Sequence, residues 1–158
     1  MNDPEVTQFV ESRFFPQSKA DILQYVKSQE NDNNNLFLAI ILKEKNLHIG
    51  NIKLDLLNSH HRLSEIGIII GEKRYWGKGY ASEAIALLAE YAFCVLNLHK
   101  LTATCYAPNK GSMNAFKKAG FEIDGVRRKH WSLDGKYVDV YLLCKISSEE
   151  EKCGKEIG

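Results

Sequence analysis

The stretch Arg74-Tyr75-Trp76-Gly77-Lys78-Gly79-Tyr80-Ala81-Ser82 decides the fold. The apolar run Ile66–Ile70 precedes it. After it, Ala81, Ala84, Ile85, Leu88, Ala92 and Val95 recur at the spacing of one helix face. The order is strand, glycine loop, helix. Glycines let the backbone turn tightly and aim successive N–H groups at one point. A helix start adds N–H donors without intrahelical partners and a positive dipole end. Together these predict an anion site suited to a diphosphate. The plain alternative is a glycine turn with no ligand.

Working outward, Leu36–Leu42 and Leu47–Leu56 are β-prone runs around Lys43-Glu44-Lys45-Asn46, a hairpin signal. Leu63–Ile70 is nearly continuous in apolar residues, which predicts a central strand, and Gly67 within it predicts a bulge. Asn97 is expected to end the helix that begins at Gly79, and Lys100–Tyr106 is expected as a strand. Asn109 is placed to cap a short helix with a stripe of Ser112, Ala115, Phe116 and Ala119, ended by Gly120. Strands follow from Phe121 and over Tyr137–Ile146, joined by the tight-turn sequence Leu133-Asp134-Gly135-Lys136. Residues 3–12 and 17–30 carry helical patterns. The expected order is ααβββαβαββ: an α/β (α+β) mixed sheet of about six strands flanked by helices. One domain is expected over 1–146, with a frayed polar tail over 147–158.

Composition narrows the function. A chain of 158 residues with net charge +1 does not carry the bulk basicity of a nucleic-acid binder. No run reaches a membrane-spanning length and no basic-then-apolar leader opens the chain, so the cytoplasm is the expected compartment and no membrane partner is expected. Cys94, Cys105, Cys144 and Cys153 lack metal-ligand spacing, so no metal is expected and the first three are expected as buried thiols.

Two familiar phosphate loops fail on spacing. A P-loop needs G-x-x-x-x-G-K-[ST], and the dinucleotide fingerprint needs G-x-G-x-x-G, whose third glycine is Ser82 here. A nucleotide-binding regulator is therefore only a partial match. The pattern that fits is R-x-x-G-x-G, Arg74 to Gly79. It resembles the acetyl-CoA pyrophosphate loop of the GNAT (GCN5-related N-acetyltransferase) superfamily. Ile66–Ile70 resembles that family's fourth strand. Asn109-Lys110-Gly111-Ser112 and Lys117-Lys118-Ala119-Gly120-Phe121 resemble the helix and Gly-Phe corner that close its cofactor site. Gly125-Val126-Arg127-Arg128 and the Gly135–Asp139 spacing resemble the RimJ/RimL-type ribosomal-protein N-acetyltransferase branch. The resemblance covers roughly residues 35–146. Two departures stand out: the strand that usually opens the family fold is missing from the pattern, and the position of the family's usual proton-donating tyrosine holds Phe116.

The resemblance implies acetyl transfer from acetyl-CoA to a primary amine, by direct attack in a ternary complex. Cofactor contacts are implied for Ile68, Ile69, Ile70, Arg74, Trp76, Gly77, Lys78, Gly79, Tyr80, Ala81, Ser82, Asn109, Ser112 and Lys117. Backbone N–H groups of Ile68–Ile70 would polarise the thioester carbonyl. Glu65 is the leading base, with His130 as runner-up and a water chain as a third route. Ser112 would protonate the departing thiolate. Tyr106, Trp131 and Asp139 could line an acceptor slot. The acceptor is a small-molecule amine or a protein N-terminus, and an exposed sheet edge makes a homodimer a further expectation. The alternative class is a non-catalytic module that senses CoA on the same fold.

Overall fold

The computed structural model describes residues 3–30 and 32–148. Its elements run α1 (Pro4–Thr7), a 3-10 turn (Glu11–Phe14), α2 (Lys19–Glu30), β1 (Leu36–Leu42), β2 (Leu47–Asn58) and β3 (Leu63–Ile70). They continue as α3 (Tyr80–Cys94), β4 (Lys100–Tyr106), α4 (Lys110–Lys118), β5 (Glu122–Leu133) and β6 (Lys136–Ile146). The expected order holds. The first helical pattern is shorter than expected, because α1 stops at Thr7 and gives way to the 3-10 turn.

All six strands join one sheet in the order β1-β2-β3-β4-β6-β5. Neighbours are antiparallel except β3 and β4, which are parallel. That exception follows from the connection. Helix α3 carries the chain back across the sheet, the only way to reach a parallel neighbour. The β5–β6 turn places Asp134 and Gly135 both at positive φ (49° and 75°), the geometry of a two-residue hairpin turn.

Helices α3 and α4 cover one face. Ile85, Leu88, Ala89, Ala92 and Phe93 of α3, with Met113 and Phe116 of α4, pack on Ile52, Leu54, Ile66, Leu101, Ala103 and Leu143. Ile85, Leu54 and Leu101 are fully buried, each contributing about 1.5–3 kcal/mol of hydrophobic stabilisation. Val95, expected on the buried stripe, is exposed, because α3 ends at Cys94. Asn97 terminates the segment in the left-handed region, φ 55°. Cys105 is buried as expected, whereas Cys94 and Cys144 are half-buried. Cys153 falls outside the described residues. So does most of the tail, but Ser147 is docked: its N–H donates to His99 O at 2.9 Å, and the residue is buried.

One expectation about β3 is corrected. Gly67 forms no bulge. The β2–β3 register runs unbroken from Gly50↔Ile70 to Asp55↔Glu65 and slips only between Asp55 and Asn58. Glycine at 67 leaves room for the side chain opposite. A Cβ there would lie 3.1 Å from Lys53 Cε and 3.3 Å from its Cγ. Lys53 lies over that gap to reach Asp55 at 2.5 Å.

Gly50 is the tighter constraint. A Cβ there would overlap the Ile69 carbonyl oxygen, a backbone atom that cannot swing aside. Gly50→Ala is expected to destabilise the fold by about 2–4 kcal/mol. In urea unfolding the midpoint should fall while the slope stays constant.

Candidate active site

Backbone pairing between β3 and β4 covers only Leu63↔Lys100, Ser64↔Leu101 and Glu65↔Thr102. Beyond it the strands part. Each keeps its other neighbour, β3 through Gly50–Lys53 of β2 and β4 through Val140–Leu143 of β6. The result is a wedge-shaped split with stiff walls. The Gly71 N–H donates to Ile49 O at 2.9 Å. Antiparallel ladders alternate, so Ile69 turns its backbone groups to β2, while Ile68 and Ile70 turn theirs into the split. The Ile70 carbonyl there accepts from Trp76 Nε1 at 2.8 Å, which ties the glycine loop to the end of β3.

The split opens into a cleft of about 750 Å³. Among the expected residues, Ile68, Ile69, Ile70, Trp76, Gly77, Gly79, Tyr80, Ala81, Ser82, Asn109 and Ser112 line it. Gly77 and Gly79 stand at φ 71° and 89°, a region that side-chain-bearing residues rarely adopt. Gly79 is the N-cap of α3 and supplies no side-chain hydrogen bond, so the first turn's N–H groups face the cleft without a side-chain cap. Ser82 Oγ is turned back, donating to Gly79 O at 2.8 Å. On the opposite wall Asn109 caps α4, its Oδ1 accepting from the Ser112 N–H at 3.1 Å. That bond fixes Ser112 in the lining. Phe116 faces the core instead, edge-on to Phe121 at 5.1 Å, and offers the cleft nothing.

Other expected residues stand elsewhere. Arg74 pairs with Glu72 at 3.2 Å, and Lys78 Nζ lies 5.4 Å from the Tyr75 ring; neither lines the cleft. Lys117 is outside the lining too, while its neighbours Lys110 and Lys118 are in it. Tyr106 is buried: its ring packs 4.6 Å from Trp131 and 5.7 Å from Phe9, and its hydroxyl donates to Glu11 at 3.0 Å. Burial is the main reason its phenol stays protonated beyond the ordinary range. Asp139 accepts the Lys129 N–H at 2.8 Å and so holds the bulge of β5, where Lys129 adopts φ 47°. His130 lies on that bulge, 3.4 Å from Arg127 and outside the cleft lining. Glu65 lies at the apex of the split and accepts from Thr104 Oγ1 at 2.8 Å.

The sequence patterns missed the third wall. Glu5, Val6, Gln8, Phe9 and Val10 of the N-terminal segment line the cleft. The segment is stapled to both sides of the split. Lys73, beside the glycine loop, meets Asp3 at 3.0 Å and Glu5 at 2.8 Å. At the other end Arg13 donates to Ser132 O at 2.9 Å and lies 5.1 Å from the Tyr106 ring. An apolar pattern in 3–12 was visible, but nothing local marks what it covers.

Described residues hold no group of three or more His, Cys, Asp or Glu suited to a metal, and no helix long and apolar enough to cross a membrane. The lining fits CoA on structural grounds: an uncapped helix start and two left-handed glycines for phosphates, a long apolar-sided cleft for the pantetheine arm, and Lys110 and Lys118 for further negative charge.

Comparisons agree with the geometry. Residues 1–122 match the family model described as an acetyltransferase (GNAT) domain. An uncharacterized N-acetyltransferase, p20, of Bacillus licheniformis is 30% identical over 94% of this chain and 84% of its own length. A spermidine N(1)-acetyltransferase of Escherichia coli is 34% identical, over 60% of this chain and half of its own. Among solved structures, a spermidine N-acetyltransferase from Vibrio cholerae in complex with CoA and spermine superposes with TM-score 0.82 at 23% identity, covering 92% of this chain and 84% of that one. At that identity the likeness shows the fold. A GNAT-family acetyltransferase from Bacillus anthracis gives 0.78 at 26% identity, covering 92% and 83%.

The Lys73 staple generates a prediction. Hydrogen bonds from Lys73 lower the Asp3 carboxyl below its ordinary 3.8, with burial opposing. A lowered carboxyl stabilises the folded contact above its ordinary pKa and loses that contribution as pH falls through the folded value. Amide exchange across residues 4–10 should therefore speed up relative to the sheet as pH drops below 3.8. Lys73→Met should produce the same loosening at neutral pH.

Proposed function

Because the chain belongs to the GNAT acetyltransferase family, we propose that it moves an acetyl group from acetyl-CoA to a primary amine, by direct attack within a ternary complex. The observation that carries this is a single cleft where an uncapped helix start meets the unpaired backbone edge of β3. Acetyl-CoA would supply the acyl group as an activated thioester. The loop Gly77–Ser82 binds the diphosphate through backbone N–H groups. Ile68 and Ile70 N–H groups point into the split and polarise the thioester carbonyl, donors fixed in place before reaction. Glu65 takes a proton from the acceptor ammonium. Three residues of strand, about 10 Å, separate it from Ile68, so water relays that proton. The neutral nitrogen forms the new C–N bond, the C–S bond breaks, and the Ser112 hydroxyl protonates the sulfur and recovers its proton from solvent. The second N–H proton leaves to water, which balances the reaction with one proton released.

The acceptor is a small-molecule amine. Relatives named as spermidine acetyltransferases support this. A protein N-terminus is the second acceptor reading, favoured by the RimJ/RimL-type pairing of Asn109 with Ser112 in the cleft and Phe116 in the core. The sheet's outer strand β5 exposes Ile123 and Val126, which supports a homodimer; a monomeric mass by light scattering would overturn it.

The test combines binding with turnover. Saturating acetyl-CoA should raise the melting temperature, and NAD and ATP should not; a ligand at 100 times its Kd adds about 2.7 kcal/mol of stability. CoA thiol should appear only when an amine is present. Thiol release without amine dependence, or binding without turnover across amines and N-terminal peptides, would leave a CoA-sensing module instead. Ser112→Ala should lower kcat about 10²-fold with little change in the KM for acetyl-CoA. Gly79→Val should abolish the acetyl-CoA shift, since φ 89° excludes a β-branched residue.

A further inference from the structure

We propose that Thr104 is a positioning residue for Glu65, aiming its carboxylate into the open end of the β3–β4 split. The inference rests on the acetyl-transfer reading and goes beyond it by assigning how the base is held. Glu65 pairs directly with Thr102, the last parallel pair before the strands part. A carboxylate there has two hydroxyls in reach of its face of the sheet, Thr102 and Thr104, since alternate residues of β4 share a face. The nearer one is turned away: Thr102 Oγ1 approaches the Ser64 carbonyl at 3.4 Å. Glu65 instead accepts from Thr104 Oγ1 at 2.8 Å. The carboxylate therefore leans along β4 toward the end where the strands part, meeting the hydroxyl of a residue two positions beyond its direct partner.

This bond is a side-chain link across strands whose backbones have already separated. A hydrogen bond to a charged acceptor is short, directional and stronger than a neutral one. It fixes Oε1 and leaves Oε2 as the oxygen that receives the acceptor's proton. Thr104 donates its hydroxyl hydrogen to hold the carboxylate and transfers no proton itself.

The neighbouring charges are arranged to keep that position. Asp55 is the direct cross-strand partner of Glu65 on β2, and two bare carboxylates side by side would repel. Lys53 neutralises Asp55 at 2.5 Å, and its path over Gly67 makes that reach possible. Burial works against the Lys53 charge, yet the bond and charge of Asp55 raise its pKa above the ordinary value, so the cation persists. Glu65 is thus relieved of a like-charged neighbour on one side and tethered by a hydroxyl on the other.

The experiment compares wild type, Thr104→Val, Thr104→Ser, Glu65→Gln and the double variant Glu65→Gln/Thr104→Val, with kcat and both KM values measured at saturating partner. Valine keeps the shape and strand preference of threonine, and melting temperatures check the fold. Thr104→Val is expected to lower kcat about 10-fold, a loss in line with a misaimed group. The acetyl-CoA KM should stay within about twofold, and Thr104→Ser should restore most of the rate. In the Glu65→Gln background, Thr104→Val should cost nothing further, because coupled residues are not additive. Full kcat in Thr104→Val, no rescue by serine, or an equal loss in the Glu65→Gln background would overturn the positioning role. Wild type active and Glu65→Gln equally active would remove the base itself. A wild type without amine-dependent thiol release would sink the acetyl-transfer reading, and the proposal with it.

Discussion

Backbone pairing between β3 and β4 stops at Glu65 and Thr102, and the rest of the site depends on that stop. Main-chain N–H and C=O groups inside a protein demand partners. A strand that abandons its neighbour midway leaves such groups turned into a wedge. Here the wedge keeps its shape because each wall is locked to a different antiparallel partner, β2 on one side and β6 on the other. The unpaired donors of Ile68 and Ile70 therefore stay in place without a ligand. Donors held this way are oriented during folding, before any ligand arrives.

The same geometry explains why the N-terminal segment matters. Neither wall can close the split, so a third element must, and residues 5–10 occupy that place. Its attachment is uneven. The Lys73 contacts with Asp3 and Glu5 are exposed ion pairs, which are individually weak and screened by salt. The Phe9–Tyr106–Trp131 stack, with Tyr106 buried and the two flanking rings half-buried, holds more firmly. The segment is anchored on the β4 side and lightly latched on the glycine-loop side. An element whose contacts are weak at one end opens there first, which places its loose edge beside the glycine loop.

Much of this was legible in the chain, and the exceptions share a cause. Element order, the loop, the Asn109 cap and the Asp134-Gly135 turn are local: period, capping chemistry and positive φ act within a few residues. The same holds for Phe116, whose place on the α4 stripe already aimed it at the core. Less legible were the residues whose contacts are set by a distant partner. Gly67, expected to bulge, instead gives space to Lys53 on the next strand. Asp139 looked like an acceptor contact, yet it holds the Lys129 bulge. Tyr106 and Trp131, expected at an acceptor slot, pack with Phe9 of the N-terminal segment. Lys117 and Lys118 differ by about 100° around α4, and the cleft is lined by Lys118.

The near-zero net charge conceals the electrostatic design. The chain sums to +1, which said only that bulk attraction to polyanions is absent. Locally the charges are sorted around the split. The α3 start, Lys110 and Lys118 gather positive potential at the cleft. At the apex, on the sheet face away from α3 and α4, Asp55 and Glu65 stand together with Lys53 as their one adjacent cation in the β2–β3 pairing, leaving a residual negative charge. A negative ligand and a positive one would thus be drawn to opposite sides of the same gap. Each would be repelled from the other's position, which favours a complex of both over two copies of either. The parted strands let the two fields meet in the split between β3 and β4.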